Sequence, residues 1–457
     1  MKKKNPVSET TLRHVEHFTN TIGPRGSATP KEAEAHDYCQ ATLEGLGYEV
    51  HREPFMSPLS GWHPYALAEG GMLLAVAIFW LMTQGADAGA GGLAAAALSL
   101  VINISFLLHL MHRSNPLLWF LPVDRSQNVW AVARPSGEER QSVVLSGHVD
   151  THRAALAMQS PGMWQFFQVF TMVAGAANLA LLALFVWGAL APNPLARELA
   201  LIVAIIPAVM LVFTLQPDFA PFVAGANDNA TGAAAVLAFA ERLKAEPLQY
   251  TAVYLVNTGC EEVGCFGIMD WIKRHAEHDA PEADYLVLDN IGGKGSDVNY
   301  VLDETLLLPV EADAGLVELA EQVATANSAL GAKPFHYRGL YSEMSLASAL
   351  GQSALGLLDF DPRTKMPPNF HTARDDMSNI DSAVLERSEQ FAWALLQEID
   401  RGAEDITLLD RPQAARAATE AAKDEPADEP STVAAGDDAG QPAAATTDEP
   451  ASAPTDG

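Results

Sequence analysis

The chain is poor in cysteine, poor in basic residues and, over four long stretches, almost free of charge of either sign. It has three cysteines, Cys39, Cys260 and Cys265, in 457 residues. So sparse and odd a set does not make a disulfide framework. The C-x4-C spacing of Cys260 and Cys265 fits a zinc pair poorly, because no second Cys/His pair at zinc-site spacing accompanies it. Both read as small core residues. Lysine and arginine number 28 against 57 acids, a net charge of −29. That balance argues against nucleic acid as a partner, since phosphates need a basic surface. The N-terminus, MKKKNPVSETTLRHVEHF, starts basic but has no apolar h-region, so it does not read as a secretory signal.

The uncharged stretches are 70–83, 88–111, 166–191 and 199–215. A bilayer-spanning helix needs about 20 apolar residues. The second and third stretches reach that length; the first and fourth are short, and the fourth contains Pro207. They pair into two hairpins with short turns, QGADAGAGG and PNPLARE. Four spans return the chain to its starting side, so everything outside the hairpins is expected on one membrane face. The first turn has no Lys or Arg, while its flanks carry Arg52, Arg113 and Arg125, which predicts a cytoplasmic face. The second hairpin is ambiguous, with Arg197 in its turn and Arg153 before it. The apolar hairpins also offer surfaces for a homo-oligomer.

Outside the hairpins the pattern is α/β. Helices are expected over 8–20 and 30–46, and a strong amphipathic helix over 232–245. Strands are expected at 48–55, 128–135, 142–147, 251–258, 284–289 and 353–360. Apolar runs of strand length alternating with helices imply a doubly wound, mostly parallel mixed sheet covered on both faces. The expected organisation is one α/β domain in three pieces, 1–64, 113–160 and 218–410. Hydrophobic hairpins at 65–112 and 161–217 interrupt it, and a disordered acidic Ala/Pro-rich tail follows at 411–457. That tail has too few large apolar residues to offset its ordering entropy.

The stretch LVNTGCEEVGCFG raises the chemical question. A buried-type strand ends in two adjacent carboxylates, Glu261 and Glu262, and burying like charges costs several kcal/mol without compensation. Other expected strands end similarly, in His148-Val-Asp150 and in Asp289. Ligand sites of open α/β sheets lie at the carboxyl ends of strands. Asp228 precedes the helix at 232, and His371 sits in a loop after the last strand. Each alone reads as a helix cap or a loop residue. Together, imidazole and carboxylates make a divalent-metal donor set that suits zinc, and also manganese or cobalt. Carboxylates orient such histidines, a role open to Asp150 and Asp375.

At this point the chain resembles the M28 family of metallopeptidases, the zinc aminopeptidase group. The matching pieces are IGPRGS, QNVWAVARPSG, VVLSGHVDTH, GANDNATGAAAVLAFAERL, NTGCEEVGCFGI, YLVLDNIGG, LYSEMSLASALG and FHTARDDMSNID. They cover about 10 to 400 apart from the hairpins, in the family's order. The resemblance implies a zinc-exopeptidase fold acting on peptides with two divalent metal ions. Asp228 bridges them, His148 and Asp289 complete one shell, and Glu262 and His371 the other. It makes Glu261 the general base and sets Asp150 to hold His148.

The chain departs from the family pattern in three ways. The second hairpin separates His148 from Asp228, which puts the catalytic mouth near the membrane or lines it with the hairpin. Phe370 stands where some members have a tyrosine that helps stabilise the oxyanion, leaving Tyr341 or His336 as substitutes. Ser342-Glu343 replaces the usual Ser-Asp, which weakens the expectation for substrate positioning. Related readings are a deacylase or carboxypeptidase, a cyclase of N-terminal glutamine, and an inactive membrane scaffold. The Asp228-Asn229-Ala-Thr-Gly232 run favours the aminopeptidase over the deacylase. The complete ligand set with Glu261 disfavours the scaffold.

Overall fold

The computed structural model describes residues 6–84, 88–113 and 115–404. The expected tail at 411–457 lies outside the described residues. Nine strands form one sheet: β1 Val50–Pro58, β2 Val123–Ala133, β3 Gln141–His148, β4 Thr251–Thr258, β5 Asp284–Asp289, β6 Asn299–Thr305, β7 Pro309–Glu311, β8 Lys333–Arg338 and β9 Ser353–Leu358. The order is β1-β2-β4-β3-β5-β9-β6-β7, with β8 beside β6. The centre, β4-β3-β5-β9, is parallel. Antiparallel pairings flank it at β1–β2, β2–β4, β9–β6 and β6–β7.

Residues of β4 (TAVYLVNT) are β-branched or aromatic in most positions, and all are buried. Alternation sends them to two covered faces. Tyr254 packs edge-on against Trp271 of the helix Phe266–His275. Asn257, of opposite parity, donates from its Nδ2 to the Ala233 carbonyl of the helix Thr231–Ala245. Helices on both faces are what the apolar strand runs demand.

The helix Thr231–Ala245 differs from expectation. It is not amphipathic over its first ten residues, because Thr231 to Ala240 are all buried. Its alanines are small enough to lie flat against the sheet while other helices cover it. The outer strands β6, β7 and β8 were not anticipated. β7 has three residues, and β8 (KPFHYR) turns only Phe335 and Tyr337 toward the core while its other residues are exposed, an alternation too short to stand out in the sequence.

Four helices are long and apolar enough to cross a membrane: His63–Met82, Gly89–Leu110, Pro161–Leu190 and Pro194–Phe219. The first and last exceed the uncharged runs in the sequence because polar residues at their starts join the same helix. The last is interrupted at Ala204, between Pro194–Val203 and Ile205–Leu215. Pro207 has no N–H for the Val203 carbonyl and its ring crowds that group. Met72, Phe79, Leu181 and Phe185 fill the bundle interior. A Cβ on Gly188 would lie 2.4 Å from the Phe79 ring, so this close helix crossing needs glycine. Leu93, Met172, Leu190 and Val212 point outward and are largely exposed.

Candidate active site

Three strand ends and two loops converge at the carboxyl edge of the parallel block. β3 ends at His148, β4 leads through Gly259-Cys260 to Glu261 and Glu262, and β5 ends at Asp289. The approach is tight. A Cβ on Gly147 would lie 2.6 Å from the Gly232 backbone, and one on Gly232 only 2.0 Å from the Leu288 carbonyl oxygen. Glycine at both positions lets the helix start, and Asp228 just before it, sit between β3 and β5. The Asp228–Asn229 peptide is cis. Cys260, Cys265, Asn290, Asn369 and His371 all adopt left-handed backbone conformations beside the site. Such outliers among non-glycine residues concentrate where function dictates geometry.

The seven side chains singled out in the sequence lie together, and those of His148, Asp150, Asp228, Glu261, Glu262, Asp289 and His371 are nearly or fully buried. Asp228 faces two ways. Its Oδ1 is 3.6 Å from Nε2 of His148, and its Oδ2 is 2.9 Å from Nε2 of His371. Nε2 of His148 is also 3.5 Å from Asp289 Oδ1 and 3.8 Å from Glu261 Oε2. Nε2 of His371 is 3.0 Å from Glu262 Oε2. Among the described residues, His148–Asp228–Asp289, His152–Glu262–His371 and His148–Glu261–Glu262 are grouped closely enough to hold a metal ion.

The donor chemistry fits a divalent cation. Nε2 of His148 and Oε1 of Glu262 are buried without a hydrogen-bond partner among the described residues. Buried polar atoms are otherwise nearly always paired. The charges agree. Burial pushes the Glu262 carboxyl up to about 7, with His371 opposing and Asp228 adding to the rise. Burial likewise drives Glu261 well above the ordinary carboxylate range, against His148. Burial opposes the His371 imidazolium, yet Glu262 and Asp228 outweigh it and hold the group at about 10. Crowded acids that draw protons toward themselves are a site that a cation relieves.

A supporting layer holds these groups. Asp150 Oδ1 is 3.4 Å from His148 Nδ1. Its carboxylate accepts the backbone N–H groups of Glu261 and Glu262, each at 3.1 Å, and the Ser27 hydroxyl at 2.6 Å. Glu32 accepts the Cys260 N–H at 2.9 Å and the Ser126 hydroxyl at 2.8 Å. Asn290 donates to both Asp228 and Asp289. Arg25, fully buried, donates to carbonyls of Val149, Ala224 and Gly225, which tie together the chain on both sides of the second hairpin. Sequence reasoning missed Glu32, Asn290 and the role of Arg25. The pieces IGPRGS and LDNIGG contained two of them, but nothing local marks such a residue as buried.

Two expectations need correction. Asp375 does not orient His371. It accepts the backbone N–H groups of Asn227 and Asp228, at 2.9 and 3.0 Å, and so sets the position of Asp228. Nδ1 of His371 has no partner among the described residues. Glu343 turns inward at the first position of the short helix Glu343–Ala349, which Ser342 caps, and accepts hydroxyl hydrogens from Ser146 and Thr258. Of the two oxyanion substitutes, His336 is paired with Asp303 on exposed β8. Tyr341 is half-buried near Gly264, where loss of solvent and then the charges around it, Glu261 and Glu262 included, hold its phenol protonated.

The apolar helices reach the site. Phe370 packs against a cluster of Trp62, Trp164, Phe167 and Met210 from the bases of three of them. His112, just past the second helix, meets the Tyr341 ring edge-on at 4.6 Å.

Residues 211–396 match the family model described as Peptidase family M28. No curated protein matches the chain. Among solved structures, Porphyromonas gingivalis glutaminyl cyclase is similar at a TM-score of 0.51 and 16% identity, over 86% of this chain and 98% of that one. The zinc aminopeptidase of Bacillus subtilis gives 0.50 and 14%, over 90% and 98%. A Zn-dependent exopeptidase from Parabacteroides distasonis gives 0.50 and 14%, over 86% and 97%. The architecture is thus the mixed α/β fold of zinc exopeptidases and glutaminyl cyclases, with an M28 peptidase match spanning its second half.

Proposed function

We propose that the protein is a membrane-embedded, metal-dependent exopeptidase that removes N-terminal residues from peptides. The observation that carries this reading is the two-way carboxylate of Asp228, with His148 and Asp289 on one side and Glu262 and His371 on the other. Such a set suits two divalent ions, zinc foremost. When bound, the metal pair supplies polarisation of the scissile carbonyl and acidification of the attacking water.

The chain does the rest. Glu261, beside His148 and hydrogen-bonded on its other oxygen by Cys265 Sγ at 3.2 Å, takes a proton from the attacking water. It returns that proton to the leaving amine as the C–N bond breaks. Asp150 fixes both Glu261 and His148 while this happens. The Tyr341 hydroxyl is the side-chain donor offered to the developing oxyanion.

The hairpins 65–112 and 161–217 are read as bilayer spans that interrupt one peptidase domain. Their outward apolar side chains support this, since exposed apolar patches of that size need a cover. Both hairpins begin and end at the same domain, which puts that domain on a single face, cytoplasmic by the basic flanks of the first hairpin.

Detergent-purified protein would be given aminoacyl, N-blocked, acylated and N-terminal-glutamine peptides, with zinc, after chelation, and as Glu261→Gln. Release of free N-terminal residues, lost on chelation and in Glu261→Gln, is the expected result. Turnover of blocked or acylated substrates alone would replace it with a deacylase. Ammonia release with ring closure would make it a glutaminyl cyclase. Folded protein inert with every metal would make it a scaffold.

A further inference from the structure

The imidazole of His371 is held between two rings. Phe370 stacks on it at 3.7 Å and 20°, and His152 at 3.8 Å and 10°. His152 is one of the groups near Glu262 and His371 that could hold a metal ion. Two arguments remove it as a ligand. An imidazole lone pair lies in the ring plane, and one ion about 2.0 Å from both nitrogens cannot lie in two parallel planes 3.8 Å apart. The nitrogen is also engaged, since Nε2 of His152 accepts the indole N–H of Trp62 at 3.1 Å. That places the ring proton on Nδ1, which donates to the Arg153 carbonyl at 2.7 Å.

We propose that His152 is a positioning residue: it orients His371 by stacking, and Trp62, at the base of the first apolar helix, locks its ring, so that the hairpin sets the geometry of a metal ligand. Metal-binding histidines are normally aimed by a hydrogen bond to their second nitrogen. Here Nδ1 of His371 lacks one among the described residues, and the stack takes over that task. Trp62 precedes the helix His63–Met82 and meets Phe167 of the third apolar helix edge-on at 5.4 Å. A tilt of either helix therefore moves the indole, then His152, then His371.

This rests on the metal-centre reading above. The test measures zinc affinity of the full chain in detergent, by competition with a chelating indicator, beside kcat and KM. His152→Ala is expected to weaken one zinc about 10- to 100-fold, the range for loss of a supporting group. His152→Phe restores the stack but leaves the Trp62 N–H without its acceptor, so it should bind zinc about as tightly as Trp62→Phe and at least about threefold more tightly than His152→Ala, a rescue that packing elsewhere would not produce. Trp62→Phe keeps the edge contact but deletes the donor, and should lower kcat and zinc affinity while leaving KM unchanged. Wild-type affinity in His152→Ala, or His152→Phe as weak as His152→Ala, would overturn the stacking role. If His152→Ala does not fold, Trp62→Phe decides, and unchanged zinc affinity there overturns the coupling. Wild-type protein that takes no zinc overturns both readings. Zinc binding without peptide turnover removes only the peptidase, and the affinities still decide His152.

Discussion

Asp150 and Glu261 are joined through the backbone: Oδ1 of Asp150 accepts the Glu261 N–H at 3.1 Å. Its other oxygen accepts from Glu262 N–H and Ser27. One carboxylate thus fixes the backbone of Glu261 and Glu262, and Asp150 also meets His148, whose Nδ1 lies 3.2 Å from its carbonyl oxygen and 3.4 Å from its Oδ1. Asp150→Asn sets an amide N–H₂ against donors already aimed at that oxygen. Loss of a buried partner costs about 1–3 kcal/mol. We expect kcat to fall and zinc affinity to drop about 10- to 100-fold. Chelator competition with steady-state kinetics checks both. Wild-type values in this variant would mean that the backbone alone holds the loop.

The contact between Gly232 and Leu288 is a second point of control. A methyl group at 232 would meet the Leu288 carbonyl at 2.0 Å. The helix start must then move away from β5 and take Asp228 with it. Gly232→Ala is expected to destabilise the fold by about 1–3 kcal/mol, as overpacking does. It should also reduce activity out of proportion to that loss. Thermal unfolding and activity at a temperature where the variant is fully folded separate the two effects.

Asp359, just past the end of β9, predicts a pH dependence of stability. It is buried, accepting from Ser388 Oγ at 2.6 Å and from Asn299 N–H at 3.2 Å. Burial pushes its carboxyl up to about 7 from an ordinary value of 3.8. A folded value above the unfolded one favours the protonated form. The stabilisation is complete below about pH 4 and is lost as pH rises through about 7, falling by roughly 1.4 kcal/mol for each pH unit between those values. Asp359→Asn mimics the protonated group. It should be more stable than wild type at pH 8, by less at pH 5, and not below about pH 4. Melting temperatures with an unchanged pH slope in the variant would refute this.

Inside the helical bundle, Glu69 and Asn178 are buried and face each other, with Nδ2 of Asn178 3.3 Å from the carboxylate. Removing one partner leaves the other uncompensated, whereas replacing both by apolar residues can be close to neutral. Asn178→Leu should lower the melting temperature in detergent, and Glu69→Leu with Asn178→Leu should recover most of it. A double variant as unstable as the sum of the singles would show that the two do not interact.

What could be read from the chain was local. β4 and β5 lie where their apolar runs predict, and His148 and Asp289 end the strands that were expected to carry them. Strand periodicity and loop chemistry are properties of neighbouring residues, so they survive in a one-dimensional reading. The bounds of the first and fourth apolar helices were misjudged because polar residues at their starts break the hydropathy run but not the helix. β8 was missed because its inward face is only Phe335 and Tyr337, too short an alternation to stand out among exposed neighbours.

Side-chain direction was not legible. Asp375 reaches the backbone of Asp228 instead of His371. Glu343 points into the core. His152, four residues past His148, stacks on a histidine more than two hundred positions later. The order of residues alone determined which donors this protein has and which strand or loop end carries each. Sheet order and the glycine-permitted contacts among β3, β5 and the helix between them decided how those donors converge. Convergence depends on packing between distant segments, and only the folded chain makes those contacts.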